Sequence, residues 1–285
     1  MILQILDVSA ILLIAGLGEL ISERSGILNI GVEGMMIMGS LSSIVFTKIT
    51  GNPWIGLLMA MIGGGVLSIL HGILSISLNV EQTVSGMGIW LFGIGLTAYV
   101  GSAFTGTHSH VIPAVVWGLT PLFFIALALV PLAWFILFKT SFGLNIRTVG
   151  EDPAVAEVLG INIKKIRYIC VFIGGMMAGL SGAYLSLVYA PIWSRRVTAG
   201  RGWLSLSLVT FSLWRPFILL LGSFMFGFLW IFSIKLQFLV ALPTSLLRTI
   251  PFFSAIITLI IISSERFGAR LREPAALGKS YIPEK

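Results

Sequence analysis

Apolar side chains run through this chain in long blocks separated by short polar stretches. Blocks with few charges fall at 5–21, 30–47, 55–78, 82–100, 121–138, 168–190, 197–213, 217–234 and 249–264. A helix that crosses the hydrocarbon core of a bilayer needs about 20 such residues. The pattern therefore predicts an all-α, polytopic transmembrane helical bundle of about nine spans, with eight to ten as the range. The block 168–190 is the cleanest, because it holds no charged side chain. The block 197–213 is the weakest: Arg201 and Gly202 interrupt it, and a half-helix or re-entrant piece is the alternative. The last block is short, with Pro251 near its start. The expected organisation is a membrane domain over 1–264, with a polar loop at 139–167, followed by a tail over 265–285.

Composition supports lipid as the solvent. Of 285 residues, 57% are hydrophobic and 10% charged, with mean hydropathy +1.03. A soluble domain carries about 25% charge. The net charge of +7 would suggest nucleic acid in a soluble protein. Here the cations cluster in loops, so no nucleic-acid partner is expected. With 139–167 and the tail placed inside, alternate polar stretches put Arg24, Lys139, Arg147, Lys164, Lys165, Arg167, Arg215, Arg266, Arg270, Arg272, Lys279 and Lys285 on that side. That is twelve of the 18 Lys and Arg. The bias predicts a cytoplasmic C-terminus, and nine spans would place the N-terminus outside. The first block opens without Lys or Arg, so it reads as a retained helix rather than a cleaved signal. Cys170 reads as a small buried hydrophobe.

Small residues recur three and four apart in Gly174-Gly175-Met176-Met177-Ala178-Gly179-Leu180-Ser181-Gly182, and Gly63-Gly64-Gly65 sits in the third block. Such stripes let neighbouring helices approach closely. Ionisable groups inside apolar blocks are costly and mark sites or internal pairing. Glu33 follows Asn29, and the group Asn29-Ile-Gly-Val-Glu33-Gly34 has the composition of a helix break lining a cavity. Glu33 is a candidate for pairing with Arg24, for capping, or for substrate contact; Glu19 and Glu23 read as interfacial. His71 reads as a hydrogen-bonded interior histidine. His108 and His110 stand in an outer loop without Cys or carboxylate neighbours, so no metal is expected. The side chains suited to a flat, hydroxyl-bearing solute are Gln82, Ser85, Trp90 and Trp203; with Asn29 and Glu33 these form the candidate translocation path.

The 139–167 loop carries the most information. Asp152 is placed to cap a short helix, with Pro153 at its favoured first position and Gly160 as its terminator. A helix of two turns is marginal alone. Docking onto another body and a solvated connection both remain open on these grounds. The segment Val149-Gly-Glu-Asp-Pro-Ala-Val-Ala-Glu-Val-Leu-Gly-Ile161 resembles the coupling-helix segment of permeases in the branched-chain amino acid, simple-sugar and nucleoside group of ATP-binding-cassette importers. Three further stretches resemble the same group: Gly18 to Met36, Thr198-Ala-Gly-Arg-Gly-Trp203, and Pro274-Ala-Ala-Leu-Gly-Lys-Ser-Tyr281. They are most similar to the shorter of the paired permeases in its nucleoside and simple-sugar branch.

The resemblance implies a permease subunit in a bacterial plasma membrane that carries nucleosides or simple sugars by alternating access. It implies a heterodimer with a second homologous permease, a cytoplasmic ATPase and an extracytoplasmic substrate-binding lipoprotein. The ATPase contact would be Gly150, Glu151, Asp152, Pro153, Ala154, Ala156, Glu157, Leu159 and Gly160. The chain would be no enzyme and bind no cofactor, with ATP and Mg on the partner ATPase. Leu277-Gly278-Lys279-Ser280 ends like a phosphate-binding loop, but Glu273 stands where that motif needs a glycine. The rival reading is a secondary transporter of small polar solutes driven by an ion gradient. That class carries broken helices in matched halves, and no internal repeat is evident. An intramembrane enzyme would need paired aspartates or a nucleophile with its base, and Asp7 and Asp152 are the chain's aspartates.

Overall fold

The computed structural model describes residues 1–106, 111–238, 243–262 and 273–281. His108 and His110 fall outside the described residues, as do Arg266, Arg270, Arg272 and Lys285. In chain order the helices are α1 (Ile2–Arg24), α2 (Val32–Thr50), α3 (Pro53–Gly72), α4 (Gln82–Val100), α5 (Pro121–Lys139), α6 (Ser141–Glu151), α7 (Pro153–Val158), α8 (Ile163–Tyr184), α9 (Arg201–Phe211), α10 (Pro216–Leu236), α11 (Thr244–Leu247) and α12 (Ile250–Ile262). Single π-helical turns, Ile73–Ser77 and Leu185–Tyr189, prolong α3 and α8.

Seven helices among the described residues, α1 to α5, α8 and α10, are long and apolar enough to cross a membrane. The expected nine are not borne out among the described residues. In the block 197–213 the helix is short: the 11 residues of α9 rise about 16 Å. In the last block the described part of α12 has 13 residues. The hydrocarbon core is about 30 Å thick. Backbone conformation stops α9 at both ends: Ala199 (φ 49°) and Gly200 (φ 84°) precede it, and Leu213 (φ 53°) and Trp214 (φ 54°) follow. Left-handed residues of this kind cannot continue an α-helix.

The core is built on α1, whose side chains are buried from Val8 to Glu23. Around it pack α2, α3 and α8, and the glycine stripe of α8 makes the closest approaches. A Cβ at Gly175 would meet the Ser68 side chain, one at Gly179 the Ala60 carbonyl, and one at Gly182 the Met36 carbonyl. The same stripe therefore touches α3 on one side and α2 on the other, while Gly174 meets Gly18 of α1. Such contacts gain dispersion energy that larger side chains would hold apart. Along α4 and α5, large apolar groups such as Leu91, Phe92, Leu132 and Phe135 face outward, as a lipid or helix-facing surface requires.

The short helix α9 runs beside one half of α1. Ser205 Oγ, near its start, lies 3.4 Å from Leu12 O, and just beyond its end Trp214 Nε1 donates to Glu23 at 2.5 Å. Arg24, at the end of α1, donates to Trp214 O at 3.0 Å. The segment 190–200 thus descends from the far end of α8 to mid-depth, and α9 completes the crossing to the end that carries α6 and α7. Glu19 and Glu23, expected from sequence to be interfacial, are instead buried within the bundle.

Candidate functional site

Two places hold the residues singled out from the sequence. The first is the α6–α7 platform between α5 and α8. The Asp152 carboxylate accepts from the N–H groups of Ala154 and Val155 at 3.0 and 3.1 Å, the capping geometry its position predicted. At the other end Gly160 takes φ 76°, with Gly160 N–H donating to Glu157 O and Ile161 N–H to Ala156 O. That pair of bonds is a Schellman terminator, which needs a left-handed residue. The preceding stretch is also helical: α6 was not expected. Its start is capped by Thr140, whose hydroxyl accepts from Gly143 N–H at 3.1 Å.

The platform has an inner and an outer face. Ala156 is fully buried, and Gly150 lies against the α1–α2 turn, where a Cβ would stand 2.1 Å from Arg24 O. Outward face Glu151, Asp152, Ala154, Glu157 and Gly160, with an apolar ridge of Val155 (49% exposed), Val158 (89%) and Leu159 (65%). Pro153 is half-buried. Val155 and Val158 were missed from sequence, because helical spacing alone does not say which stripe of a two-turn helix faces the protein. The 273–281 segment docks on this platform. Ala276 N–H donates to Gly150 O at 2.9 Å, Ala275 N–H reaches Glu151 at 3.4 Å, and the Tyr281 hydroxyl donates to Glu157.

The second place lies at mid-depth, where the chain breaks between α1 and α2. Glu33, in the first turn of α2, accepts from Thr198 Oγ1 at 2.6 Å, Gly200 N–H at 2.8 Å and Gly202 N–H at 2.6 Å. Its carboxylate closes the N-terminus of α9, where unpaired N–H groups and the helix dipole favour a negative charge. It does not pair with Arg24. Asn29 is buried, its N–H donating to Glu19 at 2.8 Å and its side-chain amide to Met35 Sδ at 3.3 Å. Gln82 staples the same break: its oxygen accepts from Leu28 N–H at 2.7 Å, and its nitrogen lies 3.4 Å from both Gly26 O and Lys279 O. Ser85 meets His71 Nδ1 at 2.9 Å, and His71 Nε2 lies 3.2 Å from Leu28 O. A carbonyl only accepts, so Nε2 carries the proton and Nδ1 accepts from Ser85. At the mouth of α4, the Thr83 hydroxyl and the N–H groups of Thr83 and Val84 hold the Glu81 carboxyl below the usual carboxylate range.

Four of the six path candidates thus hold the break itself. The other two meet. Trp90 of α4 and Trp203 of α9 are both half-buried and pack edge to face, with ring centroids 5.5 Å apart. Trp90 Nε1 is shielded from solvent and has no hydrogen-bond partner among the described residues. The site therefore offers an aromatic wall and one unsatisfied donor beside a fixed half-helix.

A bundle of apolar helices, a half-helix tethered at mid-depth and an exposed helical platform at one end define the class as a multi-pass membrane protein. The chain belongs to the family described as branched-chain amino acid transport system / permease component, whose sequence model matches residues 1–264. It is 36% identical to a putative glucose ABC transporter permease protein of Haloferax volcanii, over 97% of this chain and 95% of that one. It is 34% identical to the guanosine ABC transporter permease protein of Bacillus subtilis, over 97% and 94%. Among solved structures it shares its fold with PsaBC from Streptococcus pneumoniae in complex with Fab, at TM-score 0.50 and 14% identity, covering 92% of this chain and 90% of that one. The chain is therefore a permease subunit of an ATP-binding-cassette transporter.

Proposed function

We propose that this permease imports nucleosides or simple sugars, paired with a second homologous permease, and is driven by a separate ATPase that binds ATP and Mg and seats on α7. A substrate-binding lipoprotein delivers the solute from outside. The platform end, with the 273–281 segment, is the cytoplasmic one, as the distribution of Lys and Arg indicates. The observation that carries this reading is the apolar ridge Val155–Val158–Leu159, held out from the bundle on a helix capped at both ends. A rigid two-turn helix with water on an apolar face is a docking element. The H. volcanii and B. subtilis relatives, with their glucose and guanosine names, support the two cargo classes.

Val158→Asp tests the coupling. The side chain makes little internal contact, so the variant should reach the membrane at wild-type level, with stability unchanged within about 0.5 kcal/mol. A carboxylate buried in an apolar contact should lower co-purification of the ATPase, and uptake of labelled guanosine or glucose, by tenfold or more (about 1.4 kcal/mol). Full uptake by this variant would remove α7 as the ATPase seat.

Trp90→Phe tests the path. It keeps the ring against Trp203 and deletes the unsatisfied N–H. For a solute whose carbonyl or hydroxyl accepts from Nε1, half-saturation of uptake should rise about tenfold with membrane level unchanged. An unaltered concentration dependence for both guanosine and glucose would take Trp90 off the path.

A further inference from the structure

A cavity of about 430 Å³ lies in the half of the bundle opposite α7, between the 190–200 segment, α9, α10 and α12. Its polar lining is one-sided. Arg196, Arg201 and Arg248 contribute guanidinium groups, and no carboxylate lines it among the described residues. Glu33, whose charge also acts on Arg201, does not line the cavity; its oxygens accept from the N–H groups of Gly200 and Gly202 and from Thr198.

Arg201 is only 5% exposed. Its Nη1 donates to Val197 O and Thr198 O, both at 3.1 Å, which fixes the guanidinium in place. The group lies over the Trp230 ring at 4.3 Å and the Tyr189 ring at 5.3 Å. Arg201 Nε, Trp230 Nε1 and Gln237 Nε2 are all shielded from solvent and all lack a hydrogen-bond partner among the described residues. An unsatisfied buried donor is costly, so native proteins rarely keep one. All three belong to residues that line one cavity, with two further cations beside them.

We propose that this cavity binds a phosphate-type oxyanion, either free in solution or as the headgroup of an anionic lipid. A tetrahedral oxyanion presents several acceptor oxygens and carries the negative charge that three arginines lining one cavity attract. Guanidinium groups suit such oxyanions because their N–H fork matches adjacent oxygens. The site is set apart from the Trp90–Trp203 pair, which lies where α9 meets α4, and the proposal does not rest on what the transporter carries.

The test is thermal stability of the assembled transporter in detergent. One arm titrates sodium phosphate, the other dihexanoyl phosphatidylglycerol, each against sodium chloride at equal ionic strength. A ligand that binds the folded state raises the melting temperature in proportion to its occupancy. Stabilisation by inorganic phosphate identifies a soluble oxyanion; stabilisation by the phosphatidylglycerol alone identifies a lipid headgroup. Trp230→Phe preserves the ring under Arg201 and removes one donor, and should weaken the apparent Kd about tenfold. Gln237→Glu is isosteric and turns a donor into an anion, and should abolish the effect. Neither variant disturbs a hydrogen bond made inside the protein by the altered group. If neither probe stabilises the wild type, or if both variants respond as the wild type does, the site is not an oxyanion site.

Discussion

Gly179→Val should leave almost no correctly assembled protein in the membrane. A Cβ at this position would stand 2.1 Å from the Ala60 carbonyl oxygen and 2.9 Å from its carbon. These are backbone atoms of a neighbouring helix, so no side-chain rotation relieves the overlap. On its other flank Gly179 is the surface against which Gly39 packs, at 2.4 Å for a Cβ built there. Valine would have to push α2 and α3 off α8 together. Overpacking in a core costs about 1–3 kcal/mol when side chains can yield, and here they cannot. The expected result is at least a tenfold fall in monodisperse protein, read by fluorescence-detected size exclusion. Gly88→Ala is the matched control: nothing lies within 4 Å of a Cβ there. Alanine favours the helix by about 1 kcal/mol over glycine, so this variant should accumulate at least as well as the wild type. Equal yields of the two variants would mean that the α2–α3–α8 contact is looser than described.

Glu33→Ala should abolish transport while leaving the seven long helices folded. The carboxylate is the acceptor for the Thr198 hydroxyl and for two backbone N–H groups of the α9 N-terminus. Removing it leaves those donors unpaired at mid-depth, at about 1–3 kcal/mol each. The loss falls on the 190–200 segment and α9, because these carry the donors that Glu33 satisfies. Trypsin should then cut at Arg195 or Arg196 in intact outward-facing membranes, where the wild type resists. Gly202→Ala should reproduce the lesion by another route, since its Cβ would meet the Glu33 backbone and carboxylate at 2.7 Å. A Glu33→Ala protein that transports normally, with the 190–200 segment still protected, would show that the tether is dispensable.

Much of the architecture was readable along the chain. The apolar blocks determined an all-α membrane bundle, because no other backbone form of this length satisfies its own hydrogen bonds in lipid. The glycine stripe of 174–182 announced close helix contacts, and Asp152, Pro153 and Gly160 marked the ends of α7, because caps and terminators act within four residues. The composition of 29–34 announced a break in the helix. The tertiary structure alone decided the rest. Whether 197–213 spans or half-spans depends on Glu33, which grips residues 165 to 169 positions away. Whether Gly150 and Ala156 point at a partner or at the bundle depends on where α1 turns. The docking of 273–281 on α6 and α7, and the meeting of Trp90 with Trp203, likewise join distant segments. Local periodicity records which residues avoid water; it does not record which distant donor an isolated acceptor will find, and in the low dielectric of a membrane protein that pairing fixes the functional geometry.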